Sequence, residues 1–317
     1  MRQTRRLERL AEELEESGLP VDATDPLRQV LLEEIDLALR PPVHERRVPS
    51  SGTIVHPTTD AATWTAGTGL EITGQPLGAH LLAETRRFAD GLSSWVLRRQ
   101  DGVNEWLVFD RPAGSERDLV VLGNSLGATI VQRHPSGTVR VVGGFGVLRW
   151  ESVTWHHEPP VTSWIDLMSA CPASHDVEIL TALLEFAVHD LGANGIGALL
   201  IYRPDDAPGP AVEQRHPTPP PLRVLQPFHL APLRHALAQV DGAAVFDSEG
   251  VLRHLGVRLV PSATAEMAVD AYKGTRHTSG RRYSYDDRHA IVIAVSEDGP
   301  VTVARKGIVI GHSPDDT

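Results

Sequence analysis

Apolar residues recur at helical spacing through the first forty positions of the chain. They stand among glutamates and arginines, at Leu7, Leu10, Leu14, Leu19, Leu27, Val30, Leu31, Ile35, Leu37 and Leu39. Such spacing puts apolar side chains on one helix face. Gly18-Leu19-Pro20 interrupts the run, Asp25-Pro26 is a typical helix start, and Pro41-Pro42 follows. The pattern predicts a helical hairpin over residues 4–39, packed on its own domain or on a partner chain.

Residues 50–150 are mostly strand-like, with short β-prone runs separated by glycine-containing turns. We expect strands in Trp95–Leu97, Glu105–Phe109, Leu119–Leu122, Ala128–Val131 and Val139–Val142. Helical spacing returns over residues 79–91, at Ala79, Leu81, Leu82 and Phe88. With the hairpin, these elements predict an N-terminal α+β domain over residues 1–165.

The C-terminal half alternates between helical and strand-like patterns. We expect helices over residues 175–191, capped by His175-Asp176, and over residues 229–239. Strands are expected in Ile196–Tyr202, Ala243–Phe246, Val251–Leu255, Ile291–Val295 and Val301–Ala304. Eight of the 24 prolines fall between Pro204 and Pro227, which predicts a loop or lid there. Residues 166–317 are therefore predicted to form an α/β domain, with a central mixed β-sheet flanked by helices.

Composition narrows the class of protein. The 317 residues are 41% hydrophobic, and no apolar run approaches the roughly 18 residues that a membrane span needs. We expect a soluble cytoplasmic protein with no membrane partner. Cys171 is the single cysteine, so neither a disulfide framework nor a cysteine-based zinc site is expected. A formal charge of −11 argues against nucleic-acid binding, but local loops and a metal ion can still bind ATP.

Candidate chemistry is concentrated at the ends of short apolar runs. Asp241-Gly242-Ala243 sets a carboxylate beside a glycine that allows close backbone approach, although Asp-Gly is also a common turn. Gly274-Thr275-Arg276-His277 offers backbone N–H groups, a hydroxyl, a guanidinium and an imidazole, which suit phosphate oxygens. Ser296-Glu297 follows an apolar strand, where ligands are often bound in α/β folds.

These three motifs, in this order, resemble the diadenylate cyclase (DAC) domain, of the soluble type, over roughly residues 175–310. The buried strand Ile196–Tyr202 lies upstream, as in that family, and Gly256–Pro261 is similar to the family's adenine-contacting strand. The resemblance implies that two ATP molecules condense into cyclic di-AMP and two pyrophosphates. It also implies a face-to-face homodimer or higher homo-oligomer, since each domain holds one ATP.

The resemblance also implies roles for individual residues. It assigns catalysis to Asp241, Arg276 and His277, and a Mg²⁺ or Mn²⁺ ion to Asp241 and Glu297. The nucleotide contacts that it implies are Gly242, Ala243, Leu259, Gly274, Thr275, Ser296 and Glu297.

Two positions depart from the family's motifs. Thr278 stands where the family has a second arginine, and Arg281 or Arg282 is a candidate substitute for that cation. Val240 stands where some membrane-type cyclases place a metal-binding histidine. A degenerate DAC domain that senses ATP or a cyclic dinucleotide without turnover is therefore the alternative. Residues 1–165 match no family that we recognise, and we expect them to set the oligomer or sense a small ligand.

Two further motifs have rival interpretations. Gly123-Asn124-Ser125-Leu126-Gly127 fits the nucleophile elbow of a serine hydrolase, but the β-prone sequence after it favours a hairpin with a glycine-rich turn. Trp155-His156-His157-Glu158 could suggest a metal site. Adjacent histidines on an extended chain point to opposite faces, so we interpret the segment as a solvated linker.

Overall fold

The protein was analysed as a computed structural model that describes residues 2–19, 21, 24–43, 45–46, 48–56, 64–65, 68–78, 82–100, 102–167, 174–204, 212–272 and 274–313. The chain divides into two compact units, Met1–Pro160 and Val161–Thr317. Each unit has its own β-sheet. The predictions for Ala79, Leu81 and Cys171 and for the side chains of His175 and Asp176 fall outside the described residues.

The first unit begins with the predicted pair of helices, α1 (Arg2–Glu16) and α2 (Arg28–Leu39). Leu14, Leu32 and Ile35 are fully buried in the core that the helices share with the sheet. This apolar cluster explains why the leucine spacing predicted the hairpin. A short helix, α3 (Leu82–Thr85), continues into a 3₁₀ turn.

The sheet of the first unit has eight strands in the order β2-β4-β3-β1-β5-β6-β7-β8. They are β1 (Ser51–His56), β2 (Ile72–Leu77), β3 (Ser94–Arg99), β4 (Asn104–Phe109), β5 (Thr129–Arg133), β6 (Val139–Gly143), β7 (Gly146–Glu151) and β8 (Thr154–Glu158). Only the β1–β3 pair of this sheet is parallel among the described strands. The unit is therefore the predicted α+β domain.

One predicted strand of this unit is a helix. The run Leu119–Leu122 lies inside α4 (Glu116–Leu126). Ser115 and Asp118 form a capping box: the Ser115 hydroxyl accepts the Asp118 N–H at 3.2 Å, and the Asp118 carboxylate accepts the Ser115 N–H at 3.0 Å. Gly127 ends the helix in the left-handed conformation, with φ 58°. The strand prediction was wrong because these caps outweigh the β-propensity of the valines.

The motif around Ser125 and the segment Trp155–Glu158 both differ in structure from the sequence-based prediction. Ser125 lies in the last turn of α4, so neither a strand–turn–helix elbow nor the predicted hairpin turn is present around it. The segment Trp155–Glu158 is not a linker, because it forms most of the edge strand β8. His157 Nε2 lies 2.9 Å from the carbonyl oxygen of Phe145, and Glu158 is buried.

The second unit is the predicted mixed α/β domain, and its sheet order is β10-β12-β11-β9-β13-β14-β15. The strands are β9 (Ala198–Tyr202), β10 (Val212–Glu213), β11 (Ala243–Phe246), β12 (Leu252–Leu259), β13 (Ile291–Val295), β14 (Val301–Arg305) and β15 (Ile308–His312). The helices are α5 (Val161–Leu167), α6 (Ser174–Glu185), α7 (Pro227–Leu237), α8 (Ala263–Ala268) and α9 (Thr275–Asp286). A π-helical segment, Phe186–Leu191, continues α6.

The sheet of the second unit is covered on both faces. Leu200 and Ile293 belong to the larger core, formed with α6 and α7. Leu199 and Val292 point the other way and pack with Tyr283 of α9. Alternate residues of the same strands thus contribute to the two cores, as the period of two in a strand requires.

Strand register brings three chain segments to one end of this sheet. Ala243 of β11 pairs with Leu199 in the parallel β9 pair. Val295 of β13 pairs with Ala198 in the antiparallel pair on the other side of β9. The residues just before β11 and just after β13 therefore lie at the same end of the sheet.

Candidate functional site

A cavity of about 650 Å³ opens at this end of the sheet. Nine of the ten residues singled out in the sequence line it: Asp241, Gly242, Ala243, Leu259, Gly274, Thr275, Arg276, His277 and Ser296. The tenth, Glu297, does not line the cavity but forms an ion pair with Arg276. Three motifs separated by tens of residues are thus one site.

Gly242 shapes the first wall. Its φ is +111°, and a Cβ atom there would lie 2.7 Å from the carbonyl carbon of Gly256 and 2.8 Å from the oxygen of Val257. Only glycine permits this approach of two backbones. The turn leaves Asp241 exposed at the cavity, directly ahead of the buried strand β11.

The second wall is the N-terminal turn of α9. Gly274 precedes the helix, and Thr275, Arg276 and His277 form its first three positions. Backbone N–H groups of a first helical turn lack helical partners and can donate to phosphate oxygens. The His277 side chain is 5% exposed, and its ring meets the Tyr272 ring edge-on at 6.3 Å between centroids.

Thr278 fastens the loop that precedes α9. Its hydroxyl accepts the N–H of Tyr272 at 3.0 Å and lies 2.8 Å from the carbonyl oxygen of Gly274, to which it can donate. Where the motif has a cation, this chain therefore has a side chain that holds the loop before α9 against its helix.

Arg281 and Arg282 do not replace that cation in the cavity. Arg281 donates to the carbonyl oxygens of Gly307, at 3.2 Å, and of Asp270, at 3.3 Å. Arg282 Nε donates to the carbonyl oxygen of Val269 at 3.3 Å. Neither arginine lines the cavity, so the substitution considered from the sequence is not what the structure shows.

Arg276 connects α9 to the turn after β13. Its Nη2 lies 3.4 Å from Oε1 of Glu297, and the two side chains are 34% and 72% exposed. A Cβ atom on Gly197 would overlap Nη1 of Arg276 and approach Cγ of Glu297 to 2.8 Å. The missing side chain at Gly197 therefore gives the guanidinium its place across the start of β9, a role that the sequence did not reveal.

Arg215 and Arg258 also line the cavity, and sequence reasoning did not single them out. Arg258 lies on β12 beside Leu259, and Arg215 follows β10 within the proline-rich segment. Both approach Oε2 of Glu213, at 3.4 Å from Arg258 and 3.9 Å from Arg215. Arg258 could have been found from its place beside Leu259, but no sequence signal marks Arg215.

The metal predicted from the sequence fits this site only together with a nucleotide. The described residues include no group of three histidine, cysteine, aspartate or glutamate side chains that could hold an ion. Mg²⁺ is commonly bound by one or two carboxylates together with substrate phosphates. The exposed carboxylate of Asp241 suits that mode, whereas Glu297 is engaged by Arg276.

A mixed β-sheet with a carboxylate, a helix N-terminus and arginines around one cavity is typical of domains that bind nucleotides. Residues 185–309 match the family model DAC, described as "DisA bacterial checkpoint controller nucleotide-binding". Residues 8–158 match the family model described as "Probable sensor domain DACNK". The chain is a DAC-domain protein with a DACNK domain ahead of the nucleotide-binding domain, which confirms the resemblance seen in the sequence.

No curated protein matches the chain significantly. A crystal structure of a hypothetical membrane spanning protein from Bacillus cereus is similar, at 20% identity over 48% of this chain and 78% of that one, with a TM-score of 0.32. In this chain, none of the helices among the described residues has the length and apolar character to cross a membrane.

Proposed function

We propose that the second unit is a diadenylate cyclase, which joins two ATP molecules into cyclic di-AMP and releases two pyrophosphates. The observation that supports this function best is the cavity itself. It collects the carboxylate of Asp241, the first turn of α9 and the hydroxyl-bearing Ser296 from three separate motifs. That set can bind a triphosphate, and the DAC family match limits the chemistry to nucleotides.

In this proposal the residues around the cavity divide the binding and the chemistry between them. Asp241 accepts the proton of the ribose 3′-hydroxyl, or holds that hydroxyl in position for its attack on the α-phosphate of the other ATP. Arg276, His277 and the N–H groups around Thr275 bind phosphate oxygens and stabilise the charge that builds up in the transition state. Leu259 packs against the base. A Mg²⁺ or Mn²⁺ ion bound by Asp241, by the ATP phosphates and, on the sequence-based assignment, by Glu297 would neutralise phosphate charge and make the hydroxyl more acidic.

The reaction requires two cavities facing each other. Because the described part of the second unit offers one such cavity and the product contains two nucleotides, each 3′-hydroxyl must meet the α-phosphate held by another chain. A two-fold contact provides both encounters at once. The active species is therefore a homodimer or a larger homo-oligomer, and its substrate places it in the cytoplasm. The DACNK domain would report a signal to this assembly.

The test is product formation by the purified full-length protein. We expect cyclic di-AMP and pyrophosphate, identified by mass spectrometry, after incubation with ATP and Mn²⁺ or Mg²⁺. Asp241→Asn should lower the rate at least about a hundredfold, in line with the loss of a group acting in the transition state. Asp298→Asn, an exposed carboxylate after Glu297 and outside the cavity, is the matched control and should keep the rate.

The outcomes separate the two functions considered. Product that disappears in Asp241→Asn supports the cyclase. If the protein binds ATP but forms no product with either Mg²⁺ or Mn²⁺, even at high protein concentration, it is the degenerate sensor instead. Full activity in Asp241→Asn would refute the assignment of the site.

A further inference from the structure

The cavity has a cationic wall that the family's motifs do not include. We propose that Arg215 and Arg258 bind the phosphates of the nucleotide from the side opposite α9, with Glu213 as the counter-ion that the phosphates displace. The inference rests on the proposed function only in taking ATP as the ligand.

Strand pairing fixes the position of this wall. In the β10–β12 pair, Val212 is opposite Leu259 and Glu213 is opposite Arg258. Leu259 and Arg258 both line the cavity, β10 places Glu213 opposite Arg258, and Arg215, two residues after Glu213, lines the cavity as well. Two chain segments far apart in sequence thus bring two guanidinium groups to one carboxylate.

The contacts within this group are weak enough to be exchanged. The Glu213 oxygen lies 3.4 Å from Arg258 and 3.9 Å from Arg215, and the side chains are 54%, 63% and 51% exposed respectively. Exposed ion pairs of this length contribute little free energy. A phosphate group offers more charge and more acceptor atoms than one carboxylate, and arginine binds it with two parallel N–H donors.

The charge of the lining residues favours the same ligand. Among the described residues that line the cavity are three arginines, Arg215, Arg258 and Arg276, and one carboxylate, Asp241. Arg276 is paired with Glu297, and Arg215 and Arg258 share Glu213, so phosphates that displace Glu213 would meet two guanidinium groups without a carboxylate, in a chain of formal charge −11. Because Thr278 provides no cation, Arg215 and Arg258 make up the positive charge that a triphosphate needs.

The test is binding of 3′-deoxy-ATP, which cannot undergo the cyclisation, and of adenosine, which has no phosphates, measured by calorimetry on the full-length protein. Arg258→Gln and Arg215→Gln should each weaken 3′-deoxy-ATP about fivefold to tenfold and change adenosine binding less than about twofold. Arg253→Gln is the matched control. Arg253 lies on the same strand, pairs with Asp247 and does not line the cavity, so its variant should bind both ligands as wild type does.

Glu213→Gln gives the sharpest result because the alternatives predict opposite signs. If Glu213 competes with the phosphates, its removal should strengthen 3′-deoxy-ATP binding by about threefold. If it only holds the arginines in place, binding should weaken.

Weakening in Glu213→Gln, wild-type affinity in both arginine variants, or an equal loss of adenosine affinity would each overturn the inference. If the wild-type protein binds neither 3′-deoxy-ATP nor adenosine, the proposed function itself is refuted.

Discussion

Two Arg–Glu pairs, one in each unit, serve different purposes. In the first unit Arg149 binds Glu116 through two hydrogen bonds, of 2.6 Å and 2.5 Å. The side chains are 13% and 1% exposed. In the second unit Arg276 and Glu297 approach once, at 3.4 Å, and their side chains are 34% and 72% exposed. The same residue types form a closed buried pair in one unit and an open pair beside a cavity in the other.

The charges of the first unit are used by the fold itself. Arg140 also lies near Glu116, at 3.6 Å, and donates to Gln132 at 3.2 Å. Burial acts to lower the pKa of Arg149, but the Glu116 carboxylate raises it above its ordinary value. Glu34 is similarly buried, and its carboxylate accepts from Arg86, Arg98 and Thr53. Paired charges of this kind support structure, whereas the exposed pair of the second unit can exchange partners with a ligand.

The largest expected effect is the loss of stability when the buried pair is broken. Glu116→Ala leaves two buried arginines without their carboxylate and should lower the free energy of unfolding by about 3 kcal/mol or more. Glu297→Ala, the matched change in the exposed pair, should cost less than about 1 kcal/mol. Denaturant unfolding followed by tryptophan fluorescence measures both. Equal losses in the two variants would contradict the contrast between the pairs.

Next in size is the effect of a methyl group beside Arg276. Gly197→Ala would push the guanidinium away from the start of β9, because the new Cβ overlaps Nη1. We expect about tenfold weaker binding of 3′-deoxy-ATP, typical for the loss of one charge-assisted contact, with cyclisation reduced at least as much. Gly78→Ala is the control, because a Cβ atom on Gly78 would meet open space. Gly299 is not suitable for this purpose, because its φ of +104° would strain an alanine. Gly78→Ala should therefore bind as wild type, and unchanged affinity in Gly197→Ala would show that Arg276 needs no fixed position.

A smaller effect is expected at Thr278. Thr278→Val keeps the shape of the side chain and removes the hydroxyl that contacts Tyr272 and Gly274, so the loop before α9 loses two contacts. The Michaelis constant for ATP should rise about threefold to tenfold, the range for one or two hydrogen bonds. Thr278→Ser should restore it. If Val and Ser variants behave alike, the hydroxyl does not position the loop.

The smallest effect is a pH dependence of the first unit. Burial, opposed by a contact of His56 with the carbonyl of Leu126, lowers the pKa of His56 below its ordinary 6.5. Below pH 6.5 the unfolded chain therefore takes up a proton before the folded chain does. The stability that depends on neutral His56 is complete above that pH and is lost as the pH falls through the folded-state pKa.

This pH effect can be isolated by mutation. The free energy of unfolding should fall by about 1 kcal/mol or less between pH 7.5 and pH 5.5 because of this residue. His56→Asn should remove that part of the slope, although it also lowers stability at every pH. A slope identical in wild type and variant would show that His56 titrates alike in the folded and unfolded chains.

The sequence predicted those parts of the fold that local patterns determine. The spacing of leucines in the first forty residues gave the two helices, and the uninterrupted apolar runs gave β9, β11 and β13. The capping box at Ser115 was missed, and with it helix α4, because the valines that follow favour strands. In the site, two of the three motifs flank apolar strands, Asp241 before β11 and Ser296 after β13, whereas the third starts at Gly274, just before α9.

The remaining parts of the site depend on tertiary contacts. Arg215 reaches the cavity only because β10 pairs with β12, a pairing across more than forty residues that no local pattern encodes. The place of Arg276 depends on Gly197, whose role is visible only when the two backbones are brought together. Thr278 looked like a defect in the motif, and its hydrogen bonds became apparent only in the folded loop.

The most direct test of the account is to measure stability and nucleotide binding together on Arg276→Gln. If the exposed pair serves the ligand, the variant should unfold at the same denaturant concentration as wild type and bind 3′-deoxy-ATP about tenfold more weakly. Wild-type affinity in this variant, or a loss of stability comparable with that of Glu116→Ala, would contradict the claim that the second unit keeps its charges for a nucleotide.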